Sequence, residues 1–371
     1  MELVYSIRNN LEHFFYTNLF KRIFFLVDPE TIHNRMIKLG NFLGSNFITR
    51  ALSTFLFSYK NNILNQTILN INFKNPVGLS AGFDKNALLT NILPSVGFGF
   101  AEIGSITGEY CEGNPKPRLW RLKKSKSLLV NYGLSNEGAS VISSRLKNSR
   151  FKIPIGINIA KTNNKKTISL KSGIKDYVKA YESFANIGSY TTINISCPNS
   201  YGGQPFADAK KLDLLLKEIK KIPSKKPIFI KLSADLSNKK IDSILEVAKK
   251  HKIEGFICTN LTKNRNLATI FDKNLPISGG ISGKVVENLS NNLISYIYKK
   301  TKGKFLIMGV GGIFSAEDAY KKIKAGASLV QLITGMIYEG PQLIAEINQG
   351  LAKLLEKDNF TSITQAIGSK A

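Results

Sequence analysis

The sequence predicts an α/β chain: a (β/α)8 TIM barrel over residues 71–371, preceded by a small N-terminal helical domain over residues 1–70. Three observations carry that prediction. From about residue 75 onward, eight apolar runs recur with helical segments between them. The runs are continuous rather than alternating, which suits parallel strands buried on both faces. Residues 1–70 lack this strand–turn–helix rhythm and are rich in Phe and Leu instead. Eight repeats over about 270 residues match the count and length of a barrel, with a doubly wound sheet as runner-up.

Taken in order, the first element is an amphipathic helix on which Phe14, Phe15, Leu19, Phe20, Ile23 and Phe24 recur at helical spacing. Lys21 and Arg22 interrupt it, so no uncharged stretch approaches the roughly 18–20 residues needed to cross a bilayer. A second helix is predicted to start at Asp28-Pro29-Glu30, where Asp caps and Pro suits the first turn. It should carry Ile32, Met36, Ile37 and Leu39 inward. Neither a signal peptide nor a transit peptide fits this N-terminal region, given Glu2 and Glu12. Helices this apolar either lie in a membrane interface or cap the main domain.

The predicted strands are Pro76 to Phe83, Phe98 to Thr107, Ile153 to Ala160, Thr191 to Cys197, Pro227 to Ser233, Gly255 to Asn260, Lys304 to Val310 and Ser328 to Thr334. Between them, Ile241, Ile244, Leu245 and Ala248 share one helix face. Ser315 with Asp318 makes a capping signature, closed by Gly326.

Composition narrows the chemistry less. The 52 Lys+Arg against 26 Asp+Glu give a net charge of +26, which invites an anionic partner, nucleic acid or an anionic membrane surface. The Lys are dispersed rather than clustered, which argues against nucleic acid and for a solvated surface with some membrane attraction. Three unpatterned Cys suit neither a disulfide framework nor a zinc or iron–sulfur site, so no metal is expected and a reducing compartment is.

In a barrel the chemistry sits at the C-terminal strand ends. Those ends carry Ser80 to Lys85, Gly104-Ser105, Asn158, Asn194, Cys197-Pro198-Asn199, Lys231 and Thr259-Asn260. Each alone reads as a satisfied strand-end polar group; together at one rim they read as a site. Gly309 to Gly312 and Ile333-Thr334-Gly335 follow the last two strands, where barrels commonly bind phosphate, and Gly279 to Gly283 add backbone. Cys197 alone would read as a small buried hydrophobe, but a rim thiol can also act as a proton acceptor near neutral pH.

Ser80 to Lys85, Gly113 to Arg118, Asn194 to Asn199 and Gly309 to Gly312 resemble the dihydroorotate dehydrogenases. The N-terminal stretch Asp28 to His33 is similar to the membrane-associated, quinone-reducing class of that family. The resemblance implies FMN-dependent oxidation of dihydroorotate to orotate in pyrimidine (UMP) synthesis, with a membrane quinone as acceptor. It implies peripheral attachment to the cytoplasmic side of the inner membrane. It assigns FMN to Ala81, Gly82, Ser105, Asn158, Asn194, Lys231, Thr259, Gly283, Gly312, Ile333 and Thr334. Substrate falls to Lys85, Asn131, Asn194, Asn199 and Asn260. His33 and Arg121 fall to the quinone site, the Ser200 to Gly203 loop to a lid, and the general base to Cys197.

Two departures stand out. The quinone-reducing class normally carries Ser where this chain has Cys197, a residue more typical of the soluble classes. Tyr132-Gly133-Leu134-Ser135 stands where an Arg and a Phe are more usual. The alternatives are therefore a soluble acceptor, fumarate or NAD, or another FMN-barrel pyrimidine oxidoreductase.

Overall fold

The computed structural model describes residues 2–197 and 201–371. Its centre is a closed barrel of eight parallel strands, as the apolar runs predict. They are β1 (Val77–Leu79), β2 (Phe100–Thr107), β3 (Ile155–Ala160), β4 (Tyr190–Asn194), β5 (Ile228–Leu232), β6 (Gly255–Cys258), β7 (Leu306–Val310) and β8 (Leu329–Leu332). They pair in sequence order, and β8 closes on β1 through Val330 opposite Val77. Each observed strand lies inside its predicted run or within one residue of it. Continuous burial explains the pattern: all six residues of β3 are buried. Helices cover the outside, and Ile241, Ile244, Leu245 and Ala248 of helix Asn238–Lys250 all face in. The Ser315 side chain accepts the Asp318 N–H, as the capping signature requires.

A hairpin, Gln66–Ile68 with Ile71–Phe73, precedes β1. Phe73 packs edge-on against Phe100 and joins a cluster with Tyr190, Phe229 and Met308. A second sheet was not anticipated: Leu119–Leu122, Ser127–Val130 and Gly280–Gly283 form three antiparallel strands. The Gly279 to Gly283 stretch is thus largely strand rather than loop.

The N-terminal region is helical: α1 (Glu2–Phe15), a wide turn over Tyr16–Phe20 running into Lys21–Phe24, α2 (Pro29–Ser45) and α3 (Phe47–Phe57). Asp28 caps α2 through the Thr31 N–H at 2.8 Å. Leu39 departs from expectation: it is 47% exposed, because α2 packs on α3 and on the strand Leu119–Leu122 through a narrower stripe. Much of the apolar surface here faces outward, with Leu3, Phe42, Phe47, Ile48 and Phe55 between 67% and 75% exposed. Among the described residues no helix is long and apolar enough to cross a membrane.

Candidate active site

A cavity of about 200 Å³ opens at the C-terminal ends of the strands. It is lined by fourteen of the residues picked from the sequence: Ala81, Gly82, Ser105, Asn194, Lys231, Thr259, Gly283, Gly312, Ile333 and Thr334, with Lys85, Asn260, Cys197 and His33. Asn131, Asn158 and Arg121 stand apart from its wall, and Asn199 lies outside the described residues.

The glycine loops after β7 and β8 form one side. Gly312 has φ +76°, and a Cβ there would lie 2.3 Å from Glu287 Cβ. A Cβ on Gly335 would lie 2.0 Å from the Ile313 carbonyl oxygen, so only glycine lets the two loops touch. Behind them Asp318 accepts the Phe314 N–H at 2.8 Å and pairs with Lys284 at 2.7 Å, pinning the first loop. Ser282 Oγ and Thr334 Oγ1, 2.8 Å apart, tie the three-stranded sheet to the second loop. The result is a backbone-walled cleft, the kind of surface that takes a phosphate.

Lys231 forms the floor. It is 4% exposed, and its Nζ donates to Ser80 Oγ at 3.3 Å. Burial lowers its pKa, while the buried Glu102 opposes that shift. Glu102 lies mid-strand in β2 and accepts from Asn158 Nδ2 (2.7 Å), Thr192 Oγ1 (3.1 Å), Gln331 Nε2 (3.2 Å) and Tyr190 OH (3.4 Å). Four donors satisfy a carboxylate that would otherwise be costly to bury. This network relocates Asn158. Its side chain is fully buried one layer below the cavity, bonded to Glu102 and to Ser105, so it supports the wall rather than forming it. Asn194 donates to Ser105 Oγ at 2.9 Å, and Asn260 donates to Asn194 Oδ1 at 3.3 Å and to the Ser196 carbonyl at 3.0 Å.

On the opposite wall, Lys85 Nζ lies 3.0 Å from His33 Nε2 and 3.9 Å from the Tyr132 ring centroid. Burial lowers the Lys85 pKa to about 8, and burial with the neighbouring Lys85 charge takes His33 to about 2. A neutral His33 therefore accepts from Lys85. Asp84, its chain neighbour, accepts the Leu88 and Leu89 N–H groups at 2.8 Å each and holds the turn that presents Lys85. Arg118 also covers Tyr132, at 5.0 Å, and pairs with Glu30 of α2 at 2.8 Å. Asn131 bonds Asn114 and Ser278 at the edge of this wall. Arg121 stacks on Phe25 at 4.6 Å and donates to the Val27 carbonyl at 2.7 Å, beside the N-terminal helices.

Cys197 is half-buried and lines the cavity, whereas Cys111 and Cys258 are buried away from it. Burial pushes both of those thiols up. Sequence reasoning did not single out Glu102, Ser282 or Lys161. For Glu102 a signal existed, a lone carboxylate inside an apolar run; Ser282 was hidden in a glycine-rich stretch.

A closed parallel barrel with a glycine-walled cleft, a buried lysine and a thiol at its strand ends defines a barrel enzyme with a small-molecule site. Comparison with known proteins makes that specific. The profile of the family described as dihydroorotate dehydrogenase matches residues 63–355. A curated dihydroorotate dehydrogenase (quinone) of Trichodesmium erythraeum is 38% identical over 360 residues, covering 92% of this chain and 94% of that one. One from Haloarcula marismortui is 40% identical over 297 residues, covering 80% and 83%. The crystal structure of DHODH from Eimeria tenella in complex with ferulenol superposes with TM-score 0.81 at 28% identity, over 92% of this chain and 95% of that one. This chain belongs to the dihydroorotate dehydrogenase family.

Proposed function

We propose that this chain oxidises (S)-dihydroorotate to orotate in pyrimidine (UMP) synthesis, using bound FMN and passing the electrons to a membrane quinone. The observation that carries this reading is the convergence of Lys231, the glycine cleft, Lys85, the Asn194–Asn260 pair and Cys197 on one cavity. These residues fit FMN. Close packing against Glu287 and the Ile313 carbonyl keeps Gly312 and Gly335 bare, and a bare backbone wall suits a phosphate, while the buried Lys231 suits an electron-rich ring edge.

When bound, FMN supplies the hydride acceptor. The chain's own residues do the rest. Lys231 stabilises negative charge on the cofactor side, Lys85 offers a cation to the substrate carboxylate, and the amides of Asn194 and Asn260 match the polar edge of a pyrimidine ring. Cys197 takes the C5 proton. Asn131 and Asn199 remain candidates for the substrate shell. Asn158 acts through Ser105.

Membrane attachment rests on the outward apolar faces of α1–α3 and on the net charge of +26, which together suit the surface of an anionic bilayer. The quinone would enter beside these helices, near His33 and Arg121. We place the protein peripherally on the cytoplasmic side of the inner membrane. Two relatives carrying the quinone name align with 92% of the chain, a span too long to leave out most of residues 1–70.

The test is anaerobic absorbance. The purified yellow protein should bleach on adding dihydroorotate and recover its colour with a quinone, but not with fumarate or NAD. Failure to bleach would point to another FMN-barrel reaction. Recovery with fumarate or NAD alone would overturn the quinone assignment.

A further inference from the structure

A second lysine is buried beside the site. Lys161, just beyond β3, is 4% exposed. Its Nζ donates to the Tyr201 carbonyl at 3.1 Å and to Thr167 Oγ1 at 3.2 Å. Asn163 Oδ1 accepts the Tyr201 N–H at 2.7 Å, so the loop after β3 grips both backbone polar groups of Tyr201. Asn163 also donates to Asn114 Oδ1 and to the Gly133 carbonyl, each at 3.1 Å. Asn114 in turn donates to Asn131 at 3.0 Å. Tyr201 is thus fastened to the loop carrying Asn131 through the residues after β3.

Lys161 and Cys197 also line one small cavity of about 10 Å³, with Tyr177, Asn194 and Gln204. That is room for about one water. The other ionisable groups near it are few. Asp176, from helix Leu170–Ser183, spends its oxygens on the Thr162 N–H at 2.6 Å and the Thr162 hydroxyl at 2.7 Å. The Tyr177 hydroxyl donates to the Asn194 carbonyl at 2.6 Å. Cys111 is buried, and Glu109, next to Asp176, pairs outward with Lys179 at 2.5 Å.

We propose that Lys161 is a positioning residue for the Cys197 base: it holds the backbone at Tyr201 and supplies the cation that favours the thiolate. A buried ammonium lining the same small cavity as the thiol acts through a low dielectric, where a single charge moves a neighbouring titration substantially. Burial lowers the Lys161 pKa, and the Asp176 and Cys197 charges oppose that, consistent with a mutual interaction. The inference rests on the reading of Cys197 as the base.

Alkylation tests it without turnover. Iodoacetamide labelling of the peptide containing Cys197 is followed by mass spectrometry across pH 6–10, in wild type, Lys161→Gln and Lys161→Arg. Lys161→Gln can still donate to Tyr201 but carries no charge. Its labelling midpoint should rise by about one pH unit, with roughly tenfold slower labelling at pH 7, whereas Lys161→Arg should stay near wild type. An unchanged midpoint in Lys161→Gln would overturn the proposal. So would a wild-type midpoint at or above about 8.5, the free-thiol value, and this second criterion holds even if the variants do not fold. Full bleaching by dihydroorotate in Cys197→Ala would remove the base reading itself and leave the labelling result standing as chemistry of a different kind.

Discussion

The barrel and the N-terminal helices use apolar residues in opposite ways. In β3, Ile155, Ile157 and Ile159 are all fully buried. In α3, Phe47 and Phe55 are 75% and 73% exposed, and Leu26 just before α2 is 86% exposed. The two regions meet through polar contacts at defined points: Glu30 with Arg118, His33 with Lys85, Tyr16 OH with the Ile337 carbonyl and Arg121 with the Val27 carbonyl. In the barrel, then, buried polarity marks the chemistry. In the helices, exposed apolarity marks a surface made for something other than water.

The sharpest test of the barrel side is Cys197→Ala. A positioned base is worth about 10²–10⁴ in rate, so reduction of the bound flavin by dihydroorotate should fall at least 10²-fold while the protein stays yellow. Stopped-flow absorbance measures this, and unchanged reduction would mean another group takes the proton.

The helical side has the next largest expected effect. Replacing both Phe47 and Phe55 by Asp should weaken binding to anionic phospholipid vesicles by about 30-fold, on the order of 1 kcal/mol per partly inserted ring. Flavin reduction by dihydroorotate should be unaltered, since neither ring lines the cavity. Co-sedimentation with vesicles decides it. Unchanged binding would leave these faces without a membrane role.

A third prediction sits where the two regions touch. Lys85 is held to about 8 by burial, with His33 as its neutral partner. Raising the pH through 8 removes the charge that faces a substrate carboxylate, so orotate affinity should fall toward tenfold per pH unit above that point. The slope should move to higher pH in His33→Ala, which opens the site to water. Titration of the flavin absorbance with orotate at pH 7, 8 and 9 reads this directly.

Legibility in the sequence followed burial. Parallel strands covered on both faces write unbroken apolar runs, which is why all eight barrel strands could be placed. The antiparallel sheet over the rim has strands of four residues each, and its third strand comes from the distant Gly280–Gly283, so no local pattern announces it. Rim residues such as Lys231 and Asn260 were readable because they break an apolar run at its C-terminal end. Asn158 lies in such a run too, but one residue of depth separates wall from floor, and only the network around Glu102 shows on which side it falls. Lys161 was invisible for the opposite reason: one lysine among so many reads as surface. The Leu39 side chain was misplaced because helical spacing gives a face but not the width of what covers it.

The smallest expected effect concerns how the two regions dock. Glu12 of α1 faces the barrel helix Leu343–Lys357, and neither carboxylate oxygen has a hydrogen-bond partner. Desolvation raises its pKa to about 7, with Arg8 opposing and Glu346 adding to the rise. The folded state therefore holds this proton more tightly than the unfolded chain, and the stabilisation is complete below about pH 4.5, the ordinary value, and lost as pH rises through 7. Glu12→Gln should flatten that part of the profile. The melting temperature of wild type should drop by a few degrees more between pH 5 and pH 8 than that of the variant. Glu346, also raised by burial and facing His13 at 3.4 Å, leaves a residual slope in both proteins. Equal slopes would assign the whole pH dependence to that second pair, and the docking of α1 would then owe nothing to the protonation of Glu12.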